Sequence, residues 1–199
     1  MILNHLWGLY AHPREEWQTI DKNKESMRYS IMHIMLVALI PCVCGYFSSV
    51  HIGWKLGNRD PFMLTSDSAL LISGLMYLAL ILGVGLLAYL AKILGQAFEA
   101  DVTFTQAAEL AVYTATPIFM VGFAALYPVL WFVMLVGLAG IAYSVYLLYS
   151  GVPILLHIPE EKGFIYASSV VTCGLVLLVI IMATTAIVWT QGYGPMFTQ

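Results

Sequence analysis

Charge is what this chain lacks most. Only 10% of its 199 residues are Asp, Glu, Lys or Arg, whereas soluble globular domains carry about 25%, and that shortfall excludes an ordinary soluble fold. With 61% hydrophobic residues and a mean hydropathy of +0.87, the chain reads as a polytopic membrane protein. The net charge of -3 is small and dispersed, which leaves no basic field for a nucleic-acid partner. Cysteine is nearly as rare. Cys42, Cys44 and Cys173 all fall in apolar runs, where a thiol behaves as a small hydrophobe. On a helix Cys42 and Cys44 point to opposite sides, so neither a mutual disulfide nor chelation suits them. His5, His12, His51 and His157 stand apart without ligand spacing, and no metal site is expected. There is no Gly-x-Ser-x-Gly, no phosphate loop and no zinc motif, and Glu160-Glu161 reads as a solvated acidic turn, so neither an enzyme nor a cofactor is expected. The start of the chain lacks a basic region and a small-residue cleavage site, and a removable signal peptide is not expected.

What the chain has instead is a series of apolar runs. Residues 1–29 precede the first of them. Pro13 can open a helix, because its missing N–H would be unsatisfied in the first turn anyway, and Glu15 and Glu16 then suit the positive end of the helix dipole. Trp17, Ile20, Lys24 and Met27 follow at helical spacing, which predicts a short interfacial helix lying on the membrane, with Pro13, Trp17 and Ile20 as its interfacial or partner surface. Five spans follow, at about 30–50, 69–94, 104–126, 129–150 and 164–189, each near the roughly 20 residues that a bilayer core demands. The expected fold is therefore all-α: a transmembrane domain of five helices over 30–190, with a short tail at 191–199. Pro41 should kink the first span. Gly-Asn-Arg-Asp-Pro at 57–61 reads as turn chemistry in an exposed loop. Ala79 and Gly83 form a small-xxx-small face on the second span. Thr103 and Gln106 match a capping box, and Ala107, Ala111 and Ala115 recur every fourth residue, so the third helix should sit at the centre of the bundle. Tyr127-Pro128 leaves almost no connector before the fourth span, which predicts a tight antiparallel hairpin. Residues 151–163 read as a polar break. Tyr127, Trp131, Trp189 and Tyr193 suit the interface. Five spans put the termini on opposite sides, and the positive residues Arg14, Lys22, Lys24 and Arg28 place the N-terminus in the cytoplasm and the C-terminus outside.

The third span carries what a simple anchor would not need. Glu109, Tyr113, Thr114, Thr116 and Pro117 all lie in it, and His33 lies one turn into the first span. Intramembrane ionisable groups are expensive and usually functional. Glu109 is expected to face the bundle close to His33, where a partner offsets burial; the alternative is that both snorkel to the headgroups. Thr114 and Thr116 bracket Pro117, and a Thr hydroxyl can take a carbonyl that a proline frees, which favours a helix-kink role over a ligand role. Ser144, Thr184 and Thr185 are expected to join helices by hydrogen bonds. The small-residue stripes suit packing within one chain or between two copies, so a homo-oligomer is compatible with them. Two readings follow: a non-enzymatic protein that organises membrane or partner proteins through its cytoplasmic face, or a small transporter or channel using Glu109, His33 and the Tyr113 to Pro117 segment.

Four blocks resemble the Yip (Ypt/Rab-interacting protein) family in order and spacing. They are Trp-Gly-Leu-Tyr-Ala-His-Pro-Arg-Glu-Glu-Trp-Gln-Thr-Ile at 7–20, Tyr-Thr-Ala-Thr-Pro at 113–117, Ala-Leu-Tyr-Pro at 125–128 and Tyr-Leu-Leu-Tyr-Ser-Gly-Val-Pro at 146–153. The resemblance, to the bacterial branch, implies five transmembrane helices, a cytoplasmic N-terminus and residence in the inner membrane. Eukaryotic relatives bind prenylated Rab GTPases and assist vesicle traffic or membrane shaping. Their Asp-Leu-Tyr-Gly-Pro block is missing here, and Val112 stands where they commonly have Gly, so Rab binding does not carry over.

Overall fold

The computed structural model describes residues 4–23, 27–57 and 60–198. Lys24, assigned above to the apolar stripe, and Asn58 and Arg59 of the loop turn lie outside the described residues. The fold is all-α, and among the described residues five helices are long and apolar enough to cross a membrane: Met27–Ile52, Ser66–Ala97, Phe104–Leu126, Leu130–Leu155 and Glu160–Tyr193. Their outward faces are greasy throughout; Leu82 is 70% exposed and Leu138 is 65% exposed. In water such faces would be a liability, whereas in hydrocarbon they meet a solvent as apolar as themselves.

Two short helices precede the spans. α1 (Asn4–Ala11) was not expected from the sequence, and α2 (Pro13–Asn23) begins on its proline as expected. The first span comprises α3 (Met27–Val37), α4 (Leu39–Phe47) and a wide last turn at Ser48–Ile52. The break falls at Ala38, within one turn of Pro41, which has no N–H for the ladder. α5 (Ser66–Ala97) lines up against the fifth span, and Gly83 faces Ile181 across that contact, so the small-residue face does take a neighbouring helix.

α6 (Phe104–Met120) is the axis of the bundle. The Thr103 hydroxyl accepts from the Gln106 N–H while the Gln106 side chain accepts from the Thr103 N–H, the reciprocal cap expected from the sequence. The core of this span is 67% buried, against 6 to 39% for the other four. Ala107, Ala111 and Ala115 are all buried, which lets neighbouring backbones approach closely. A tight turn at Val121–Leu126 and the Tyr127-Pro128 connector lead straight into α7 (Leu130–Leu155), antiparallel to α6.

Residues 151–163 require a correction. They are not a loop: α7 continues through Gly151 and Pro153 to Leu155, and α8 (Glu160–Val188) starts at Glu160, which leaves only residues 156–159 as connector. Glu160 and Glu161 are thus the first turn of a helix, where the dipole favours carboxylates. Pro153 removes one ladder bond from the last turns of α7, and the end of that helix is held from outside. Gln106 Nε2 donates to the Leu155 carbonyl at 2.9 Å, capping one of the acceptors that every helix end leaves over. Ser144, Thr184 and Thr185 also differ from expectation. The two threonines bond their own Ile180 and Ile181 carbonyls, and Ser144 Oγ has no hydrogen-bond partner among the described residues.

At the end of the bundle away from α1 and α2, the loop after the first span folds back as Trp54 pairs with Phe62, and the tail joins through Leu64 and Phe197. Gly53 has a φ of +83°, which glycine adopts without steric cost and a side chain would not. Tyr127, Trp131, Trp189 and Tyr193 are exposed, as residues of an aromatic belt are.

Candidate functional site

The polar residues of the third span are assembled by helical spacing. Glu109, Tyr113 and Thr116 stand at i, i+4 and i+7 on α6, which stacks them on one face. That face meets α3. His33 Nε2 lies 3.0 Å from Thr116 Oγ1, and its ring meets Tyr113 edge-on with centroids 5.0 Å apart. The Thr116 hydroxyl itself donates to the Val112 carbonyl at 3.0 Å. The Thr116 hydroxyl thus stands between a backbone carbonyl of its own helix and the His33 imidazole. Thr114 points elsewhere, donating to the Leu110 carbonyl at 2.6 Å. Pro117 lies inside α6; the carbonyl it cannot bond is that of Tyr113, four residues back, and neither threonine goes to it. The threonines instead tighten the turns before the proline.

Burial sets the character of this cluster. His33 is 0%, Tyr113 1%, Thr116 1% and Glu109 3% exposed, so they lie among packed helices rather than reaching the headgroups, as the snorkelling alternative required.

The roof of the cluster comes from α1 and α2, which the sequence reading left on the membrane surface. His5 meets Tyr113 edge-on at 5.6 Å, and Trp17 does so at 6.2 Å, so Tyr113 is enclosed by two imidazoles and an indole. His5 Nδ1 in turn bonds the Glu16 carboxylate. Eleven residues of continuous helix would hold those two about 16 Å apart, so this bond requires the chain to fold back at His12-Pro13. Gly8 sits where the fold is tightest, directly against the Glu16 carboxylate. The Tyr143 hydroxyl donates to the Leu9 carbonyl at 2.8 Å and its ring stacks on Tyr10 at 5.3 Å. Burial, and secondly the neighbouring Tyr143, raise the Tyr10 phenol above its usual 10.0, so it stays neutral.

Trp17 and Ile20, expected as an interfacial or partner surface, are both 0% exposed. They form one core with Leu9, Leu110, Tyr113, Leu147, Val152 and Leu155. The apolar stripe of α2 is real, but it is turned onto α7 and α6, because Gly151 leaves a notch there for the indole. Pro13 is partly exposed at the fold between α1 and α2. His5 and Glu16 are the residues that sequence reasoning missed in this cluster, and the only local signal for their meeting is the proline that breaks the helix between them. Among the described residues no group of His, Cys, Asp and Glu is arranged to hold a metal ion.

The His33 bond makes a measurable prediction. His33→Ala and Thr116→Val should each destabilise the protein, and the double variant should lose about 1 kcal/mol less than the sum, which is the coupling of one buried hydrogen bond. Unfolding of the four proteins in detergent measures this; strictly additive losses would remove the bond from the account.

These features define the class: a five-span α-helical membrane protein with a polar centre closed over by its own N-terminal helices. The chain belongs to the Yip family, since the Yip1 domain matches residues 7–181. It is 32% identical over 192 residues to the inner membrane protein YohC of Escherichia coli strain K12, covering 96% of this chain and 98% of that protein. YohC of the O6:H1 strain matches to the same degree. No solved structure matches the chain.

Proposed function

We propose that this is a non-enzymatic inner-membrane protein that organises membrane or partner proteins through the end of the bundle bearing α1 and α2, with that end in the cytoplasm. The observation that carries the reading is the sealing of the polar cluster. Groups that pass a substrate across a membrane line a water-filled path, whereas Glu109, His33, Tyr113, Thr114, Thr116 and Pro117 are buried, and none lines the groove beside α3 and α5 or the groove beside α2 and α8. That supports a scaffold over a transporter. In this reading Glu109 pairs with His33, and the cluster pins α1 and α2 so that their outer faces are presented in fixed orientation. Those faces hold what a partner surface needs. Trp7 is 80% exposed although it lies outside every span, and Glu15, Thr19 and Lys22 are exposed on one side of α2. Inner-membrane residence follows the relatives named inner membrane protein YohC, and the cytoplasmic end follows the basic residues before the first span.

The test keeps the buried stripe intact. A photo-crosslinking residue replacing Thr19 in the full-length protein should give discrete adducts in native membranes, with a second copy of the chain or with another protein. Glu15→Lys combined with Lys22→Glu should abolish them while the protein still inserts. Adducts that survive this charge swap, or that form equally from Lys55 at the opposite end, would sink the proposal.

A further inference from the structure

A groove of about 790 Å³ runs between α2, the end of α7 and the start of α8. Its floor is apolar and its rims are ionic. Tyr149 and Phe164 pack together in the groove with centroids 5.4 Å apart, and Phe164 is 65% exposed. Aromatic side chains of this kind sit at the level where acyl chains give way to headgroups. Arg14 and Gln18, one helical turn apart on α2, form one rim; His157 and Glu160 form the other.

The charges on these rims are not spent on each other. Among the described residues neither Arg14 nor Glu160 makes an ion pair, while the His157 ring is held by Asp21 at 3.2 Å. That His157 contact also links the connector before α8 to α2. Glu160 stands in the first turn of a 29-residue helix, a position that suits an acidic side chain. The groove therefore offers a cation on one rim, an anion on the other and aromatic rings between them.

We propose that this groove binds an aminophospholipid, a phosphatidylethanolamine in chemical terms. The guanidinium of Arg14, helped by the Gln18 amide, takes the phosphate, for which its planar fork of donors is matched. The carboxylate of Glu160 takes the primary ammonium, and the first methylenes of an acyl chain lie on Tyr149 and Phe164. The same pattern discriminates against the alternatives. A glycerol headgroup leaves net negative charge beside Glu160 with no cation to offset it, and a choline headgroup has no N–H to donate to the carboxylate. The inference does not rest on the partner reading above, because it needs only that α2 is docked.

Native mass spectrometry of the full-length protein, released from bilayers of equal parts phosphatidylethanolamine, phosphatidylglycerol and phosphatidylcholine, tests it. The wild-type protein should retain phosphatidylethanolamine about tenfold over either competitor, the discrimination that one charge-assisted contact provides. Arg14→Gln should lower total lipid retention by about tenfold. Glu160→Gln should keep the lipid but abolish the preference for ethanolamine over choline. Both side chains are exposed, so neither change disturbs the core. Lys162→Gln, exposed and outside the groove, should leave retention as it was. Equal retention of the three lipids by the wild type, a preference for phosphatidylglycerol, or a loss in Lys162→Gln as large as in Arg14→Gln would each overturn the proposal.

Discussion

Replacing Trp17 with alanine should release α1 and α2 from the bundle while the five spans stay inserted. The indole is 0% exposed and packs in one core with Leu110 and Tyr113. It also occupies the notch over Gly151, where even a Cβ would come within 2.7 Å of the indole Cε2. Truncating a buried Trp costs about 3 to 5 kcal/mol, and here that loss falls on the contact between two short helices and the spans. Neither helix is long enough to hold its fold alone. Amide exchange over residues 4–23 should therefore rise steeply and together, with α6 and α7 largely protected. Trp17→Phe should be milder, because the indole N–H has no hydrogen-bond partner among the described residues and phenylalanine removes that unsatisfied donor. Unchanged protection of α2 in Trp17→Ala would mean that the stripe is not what docks it.

Gly122→Val should produce the second large effect, at the opposite side of α6. A Cβ at Gly122 would lie 2.5 Å from Pro41 Cα and 2.6 Å from Pro41 N. Both are backbone atoms of a helix, so no rotamer change can make room, and the turn after α6 must move away from α4. Overpacking of this kind costs about 1 to 3 kcal/mol, occasionally more, which in a chain of this size lowers the melting temperature by about 2 to 4 °C per kcal/mol. Gly137→Val is the matched control. Nothing lies within 4 Å of a Cβ at Gly137, so thermal unfolding in detergent should scarcely change. Equal losses at the two positions would place the cost in helix propensity rather than in the close approach to Pro41.

The two variants mark the limits of reading this chain residue by residue. Gly122 and Gly151 look alike in the sequence, and Gly151 beside Pro153 even reads as the end of a helix. Its purpose is visible only once Trp17, 134 positions earlier, is laid on it. The same holds for His5 and Glu16, which no periodic pattern joins. Their bond exists because Pro13 reverses the chain and because the space over Tyr113 is open to be filled. The threonines beside Pro117 were expected to take the carbonyl the proline frees, but they bond the carbonyls of Leu110, Ala111 and Val112 instead, a choice of rotamer that spacing does not fix.

By itself the sequence determined the number of spans, the cap at Thr103 and the central place of α6. Each follows from a local rule: a bilayer core demands about 20 apolar residues with every backbone group bonded inside the segment, Thr and Gln three apart satisfy a helix start, and alanines every fourth residue admit close neighbours. The tertiary structure alone decided where the stripe of α2 goes, where α7 ends and how the polar residues of α6 are enclosed. The physical reason is that hydrocarbon and a protein core are both apolar, so Trp17 and Ile20 carry the same pattern whether they face lipid or helices. Only the notch at Gly151 and the ring of Tyr113, on which the indole packs, make the protein the better place for them.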